Sequence, residues 1–276
     1  MRLAMCNEGF ENEPLDIAFD RLAQAGYTGV ELAPYTLGPD PDQLTRADRR
    51  KIRAMAHDRG LSITGLHWLL ARTQGMHVST DDPATEKRTL QYLRALTELC
   101  GDLGGEVLVF GSPGQRSTPP GMSAETARKR ALQTFGAWAA LAEQVGVTVC
   151  LEALPAEETD FMNTTAEVVG LVEAVRSPAL RMVLDVKSMS SERTPIPELI
   201  DLAAPHLAYV QANDANRRGP GFGDTDFVPI FKALGGVGYD GWISVEAFDF
   251  SPSVDEMAAA SRQYLATAAA EAGVRL

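Results

Sequence analysis

Eight short apolar runs recur along this chain of 276 residues, each introduced by a glycine, a proline or a basic turn and each followed by a stretch of helical period. They are RLAMCN (2–7), TGVELA (28–33), LSITGLH (61–67), EVLVFG (106–111), VTVCLEA (147–153), LRMVLDV (180–186), LAYVQA (207–212) and WISVEAF (242–248). Runs of this length read as strands, and the segments between them read as helices. Leu132, Phe135, Ala139, Ala142 and Val145 form an apolar stripe at helical spacing. Asp82 followed by Pro83 is an N-cap with proline at the first helical position, and Ser253 and Glu256 have capping-box spacing before the last helix. Eight strands alternating with helices over roughly 250 residues is the count for a closed (β/α)8 barrel. An open doubly wound sheet usually has fewer strands and a GxGxxG loop after the first, which CNEGFENE is not. With no low-complexity linker or shift in composition, the expectation is one (β/α)8 TIM-barrel domain over residues 1–276.

The formal net charge of −12 argues against nucleic acid or an anionic membrane surface as partner, because both demand clustered Lys and Arg. A small neutral or metal-chelated substrate suits such a chain better. The N-terminal stretch MRLAMCNEGFENEP lacks the apolar core of a signal peptide, and no membrane-length apolar run follows. Cys6, Cys100 and Cys150 are odd in number and form no CxxC pair, which suggests reduced, buried thiols in a cytoplasmic protein.

The active site of a barrel enzyme lies at the C-terminal ends of its strands. Those ends carry Glu152 in CLEALP, Asp185 in VLDVKS, Gln211 in YVQAND and Glu246 in SVEAFD, each about one βα unit (about 30 residues) from the next. Four oxygen-bearing side chains thus project from strands five to eight at comparable height. A single acid at a strand end is commonly a solvated loop residue or a cap; four together are a pattern. Three neighbouring carboxylates in a partly dry site repel one another. The strands offer no buried base to neutralise them, so a divalent cation is the expected remedy.

In these motifs, and in AGYTGVELAP, GLHWLL, FGSPGQR, FMNT, NRRGPGFGDTDF and GYDGWISVE, the chain resembles the xylose-isomerase-like TIM-barrel sugar isomerases and epimerases, in particular the D-tagatose 3-epimerase type. The resemblance spans essentially the whole chain. It implies a metal-dependent isomerase or epimerase that removes a proton beside the carbonyl of a keto sugar, giving a metal-stabilised enediolate. It also implies metal ligands at Glu152, Asp185, Gln211 and Glu246, with Glu152 and Glu246 doubling as acid and base. Gln211 stands where the family has histidine. Its amide oxygen would complete an all-oxygen site favouring Mn²⁺ or Mg²⁺, unless it only bonds a metal-bound water or tight metal binding has been lost. Ser188 replaces a family histidine that contacts substrate hydroxyls, so a different hold on substrate is expected. Glu158 matches a substrate-orienting glutamate, and Arg217 an arginine that binds substrate oxygens.

Other residues carry less definite expectations. His67 either contacts substrate or packs in the core, Arg116 binds an anionic group or caps a loop, and Glu31 is a buried hydrogen-bonding residue. Gly219, Gly221 and Gly223 would fold their loop over the barrel mouth by adopting positive φ. A metal-dependent lyase or hydratase on a 3-keto sugar or polyol, and a non-catalytic sugar-binding barrel, are the alternatives. A homo-oligomer is compatible with the family.

Overall fold

A computed structural model describes residues 1–276. Strands β1 (Arg2–Cys6), β2 (Gly29–Leu32), β3 (Ser62–Leu66), β4 (Val107–Phe110), β5 (Thr148–Glu152), β6 (Leu180–Asp185), β7 (Leu207–Ala212) and β8 (Trp242–Val245) are all parallel and closed in sequence order, β8 pairing back onto β1. Every apolar run of the sequence contains one of them. Helices α1 (Leu15–Gln24), α2 (Arg46–His57), α3 (Pro83–Leu103), α4 (Ala124–Val145) and α5 (Thr165–Val175) follow the first five strands. A short α6 (Val186–Met189) and then α7 (Ile196–Ala203) follow β6, and α8 (Phe227–Gly236) and α9 (Val254–Glu271) complete the ring. The fold is a single (β/α)8 barrel.

The helix signals act where the sequence places them. Asp82 accepts hydrogen bonds from the N–H groups of Ala84 and Thr85, and Pro83 opens α3, whose end at Gly104 is left-handed. Ser123 caps α4 through the Thr126 N–H. Ser253 caps α9 by accepting from the Glu256 N–H, but Glu256 makes no return bond, so only half of the capping box forms. Along α4, Phe135, Ala139 and Ala142 are buried and Leu132 is half-buried. Val145 departs from the expected stripe: it is the last helical residue and is 38% exposed.

The main core lies between strands and helices. Trp138 is fully buried there, edge-on to Phe110 at 5.9 Å, with its indole N–H donating to Thr97 Oγ1. Burying one such ring contributes about 2–3 kcal/mol. A second, smaller cluster fills the barrel itself: Ala4, Val107, Val109, Cys150, Val183, Tyr209 and Trp242. Above this plug the inward-facing positions turn polar, because side chains alternate along each strand. Asp185 pairs with Gln211, whereas Glu152 pairs with Val183 and Gln211 pairs with Ser244. Glu152, Asp185, Gln211 and Glu246 therefore share the inward face, but only Asp185 and Gln211 stand level. The stagger of tilted strands offsets the other two.

Candidate active site

The C-terminal mouth of the barrel holds a cavity lined among others by Glu152, Gln211, Glu246, Glu158, Lys187 and His67. Glu152 ends β5 and is buried; its Oε2 lies so close to Gly111 that a Cβ there would stand 2.2 Å away. Its carboxylate accepts no hydrogen bond within the protein. Asp185 ends β6 and also caps α6. Its Oδ1 accepts from the Ser188 N–H at 2.7 Å and its Oδ2 from Asn213 Nδ2 at 2.5 Å. Asn213 Oδ1 in turn accepts from the Lys187 N–H, so β6 and the start of the β7 loop are held together at Asp185.

Gln211 donates its Nε2 to both oxygens of Glu31 at 3.4 Å. This turns its Oε1 away from Glu31, where it is buried and has no donor. Glu246 lies one residue past β8, and its N–H still bonds Ala212 O. His67 Nδ1 is 3.4 Å from Glu246 Oε1, and its Nε2 is 2.9 Å from Glu8 Oε2, an ion-pair distance out of line for a hydrogen bond. His67 thus lines the cavity while facing a carboxylate from each ring nitrogen.

Burial dominates the electrostatics. It raises Glu152 well above the carboxylate range, and the neighbouring Asp185 and Glu246 raise it further. Burial likewise pushes Glu246 up to about 8, with the His67 contact pulling the other way. Asp185 is raised by burial against the opposing pull of Lys187 and its own hydrogen bonds. Burial alone would lower His67, but Glu8, Glu31 and Glu246 outweigh it and its pKa ends well above normal.

Several expectations need correction. Buried bases do exist at the strand ends. Lys187, the second residue of α6, and Arg116, after β4, both relieve part of the charge on Glu152. Of the two roles open to Arg116, the loop cap is the one formed: it is fully buried, and its guanidinium donates to the carbonyls of Gly111, Glu152, Phe161 and Met162, tying the β4 and β5 loops together. Ser188 does not line the cavity; its N–H donates to the capping carboxylate of Asp185, and its buried Oγ has no partner. Arg217 is exposed at the rim, its guanidinium 5.0 Å from the centroid of the cavity-lining Phe248.

The glycine loop does not close over the mouth. Gly219 packs against Ser261 and Met257, and Gly221 against Tyr264, so the loop lies on α9. Of its three glycines only Gly221 has positive φ, and the other left-handed residue there is Arg217. Glu31 is the buried acceptor expected, taking bonds from Gln211 and from Cys6 Sγ. All three cysteines are free and buried.

Glu8, Lys187 and Asn213 escaped the reading of the sequence. Glu8 follows β1 and was visible to the same strand-end rule that picked out Glu152, had that rule been carried to the first strand. Lys187 and Asn213 each stand two residues beyond a chosen position.

The donor set suits a divalent cation. Gln211 offers an orphaned buried oxygen, Glu152 a carboxylate without donors, and Asp185 and Glu246 further oxygens. A second group, Cys6, Glu8, His67 and Glu246, also has ligating atoms within 4.8 Å of one another. There, burial keeps the Cys6 thiol protonated and donating to Glu31, and both His67 nitrogens already face carboxylates. There the protonated His67 already answers the charge of the two carboxylates.

A consequence for stability follows. Glu246 keeps its proton longer folded than unfolded, so between about pH 4.5 and about pH 8 the native chain binds more protons and stability falls as pH rises. The raised pKa of His67 acts in the same direction, its stabilising charge being lost as pH climbs. Chelator-treated protein should therefore melt several degrees lower at about pH 9 than at about pH 6. Added Mn²⁺ should recover most of the loss, because it binds deprotonated ligands. A melting temperature that rises with pH in chelator would contradict this account.

Comparison with known proteins agrees with the geometry. A family model described as a xylose isomerase-like TIM barrel matches residues 19–269. A ketose 3-epimerase of Arthrobacter globiformis is 28% identical over 244 residues, covering 88% of this chain and 80% of that protein. A D-psicose 3-epimerase of Ruminiclostridium cellulolyticum is 27% identical over 233 residues, covering 83% of this chain and 76% of the relative. Among solved structures, a D-psicose 3-epimerase crystallised in the presence of D-fructose superposes with a TM-score of 0.85 at 20% identity, over 99% of this chain and all of the other.

Proposed function

Because the chain belongs to the xylose isomerase-like TIM barrel family, we propose that it is a sugar epimerase or isomerase that moves a proton at a carbon beside the carbonyl of a keto sugar. The observation that carries this reading is the pair Glu152 and Glu246. Both are buried, both line one cavity at the barrel mouth, and burial holds both carboxyls above their ordinary range, which favours taking up and returning a proton. The ketose 3-epimerases among its relatives support the same class of reaction.

In this reading the two glutamates flank the substrate, one removing the proton and the other delivering it to the opposite face. Glu152, Asp185, Gln211 and Glu246 would hold one divalent ion, Mn²⁺ or Mg²⁺ by their all-oxygen donor set. When bound, it would act as a Lewis acid on the substrate carbonyl oxygen. His67 keeps Glu246 oriented and offers an edge to the substrate. Glu158 faces the substrate from the β5 loop, Arg217 stands at the entrance, and Ser188 contributes through its hold on Asp185.

Solvent exchange tests the proposal. Incubation with D-psicose, D-fructose, D-tagatose or L-ribulose in D₂O should give an epimer or isomer carrying solvent deuterium beside the carbonyl. Elimination of a substituent in the product would shift the reading to a lyase. Complete conversion without deuterium, or no conversion of any ketose, would overturn it.

A further inference from the structure

Glu31 is fully buried in β2 and is not among the four residues that would hold an ion, yet it governs how one of them points. Gln211 Nε2 makes two hydrogen bonds, both at 3.4 Å, and both go to the Glu31 carboxylate. Strands β2 and β7 are not neighbours, so this contact spans the barrel interior. Glu31 is itself held on the other side. Cys6 Sγ donates to its Oε2 at 3.0 Å, its backbone carbonyl accepts from the Asn7 N–H, and the residue beside it on β3 is Gly65.

A glutamine amide has two ends of nearly equal size, so packing alone scarcely distinguishes its oxygen from its NH₂. Charge does distinguish them. Facing a carboxylate, the NH₂ end donates. Reversed, the amide oxygen would meet two more acceptors, and a buried NH₂ would be left without a partner. An amide NH₂ is also a donor only, and cannot hold a cation. Turned as it is, Gln211 lines the cavity with a buried Oε1 that accepts from nothing in the protein.

We propose that Glu31 is a positioning residue for the ion: it holds Gln211 oxygen-first, so that a side chain able to turn either way serves as a ligand. This rests on Gln211 being among the residues that hold a divalent ion. Glu31 acts through hydrogen bonds to the far end of the amide, with its own oxygens occupied by Gln211 and Cys6. Its effect on the ion should therefore require Gln211, and that requirement can be measured.

The test is Mn²⁺ binding to chelator-treated protein without substrate, read from the loss of the free-ion EPR signal, in a double-mutant cycle. Glu31→Met should weaken Mn²⁺ about 10- to 100-fold, the usual cost of removing the hydrogen-bonded partner of a ligand. Gln211→Leu should weaken it at least as much. In the Gln211→Leu background, Glu31→Met should add less than about threefold, because no amide is left to orient. Loss of a negative charge near the ion would act in both backgrounds alike, so the cycle separates orientation from charge. Glu31→Gln keeps the shape and can either accept from Gln211 or donate to it, so its affinity should fall between those of wild type and Glu31→Met. Thermal melts in chelator confirm folding, and Glu31→Gln carries the cycle if Glu31→Met does not fold. Unchanged Mn²⁺ affinity in Glu31→Met or in Gln211→Leu overturns the positioning role. So does an equal loss with and without Gln211. Each of these leaves the epimerase reading standing, since solvent exchange tests that separately. A wild type that binds no Mn²⁺ removes the ion and the positioning role together.

Discussion

Glu152→Gln and Glu246→Gln are each expected to lower kcat on a ketose by about 10³-fold or more. A positioned acid or base contributes about 10²–10⁴-fold, and here each would be lost outright because an amide cannot accept the proton. The substitution keeps size and shape. This matters at Glu152, whose Oε2 nests against Gly111 with no room for even a methyl group. The two variants should differ in one informative respect. Whichever residue takes the proton from a given epimer, the variant lacking its partner can still exchange that proton with D₂O while failing to invert the carbon. Neither variant should be less stable in chelator. Burial already disfavours the charge at both positions, and a neutral amide escapes that cost, as expected where function is held at the expense of stability. Full activity in both variants would remove the proton-transfer role from these glutamates.

Gly65→Ala should produce the largest loss of stability of any single methyl added to the chain. Gly65 lies in β3 opposite Val107 of β4, and a Cβ built on it would come within 2.2 Å of Val107 O and 2.6 Å of Val107 Cγ2. The obstruction is backbone, so no side-chain rotation relieves it. The β3–β4 ladder would have to open at the inner plug of the barrel. Overpacking of this kind costs about 3 kcal/mol or more, a fall of about 6–12 °C in Tm for a domain of this size. Gly136→Ala in the middle of α4 is the control. A Cβ there meets nothing within 4 Å, and removing a helical glycine should stabilise by up to about 1 kcal/mol. Equal melting temperatures for Gly65→Ala and wild type would mean that the two strands are less closely engaged than their register implies.

The barrel and the general place of its site were determined by the sequence alone. Strand and helix periods are local properties, written in runs such as VTVCLEA and in the Asp82–Pro83 cap. Once eight parallel strands close, their C-terminal ends must share one rim, so Glu152, Asp185, Gln211 and Glu246 come to one face whatever the packing details. What those residues touch was decided only by tertiary structure. Consecutive residues in a helical turn point about 100° apart, and because Asp185 caps α6 it is Lys187, not Ser188, that turns to the cavity. The meeting of Glu8, His67 and Glu246 joins strands one, three and eight, which depends on closure and stagger rather than on any spacing along the chain. Arg116 has a side chain fit for an anion, but burial among four backbone carbonyls commits its donors to the backbone. The glycines of the β7 loop are similarly ambiguous from sequence. Close approach and positive φ both call for glycine, and only the docking of that loop on α9 distinguishes the two uses.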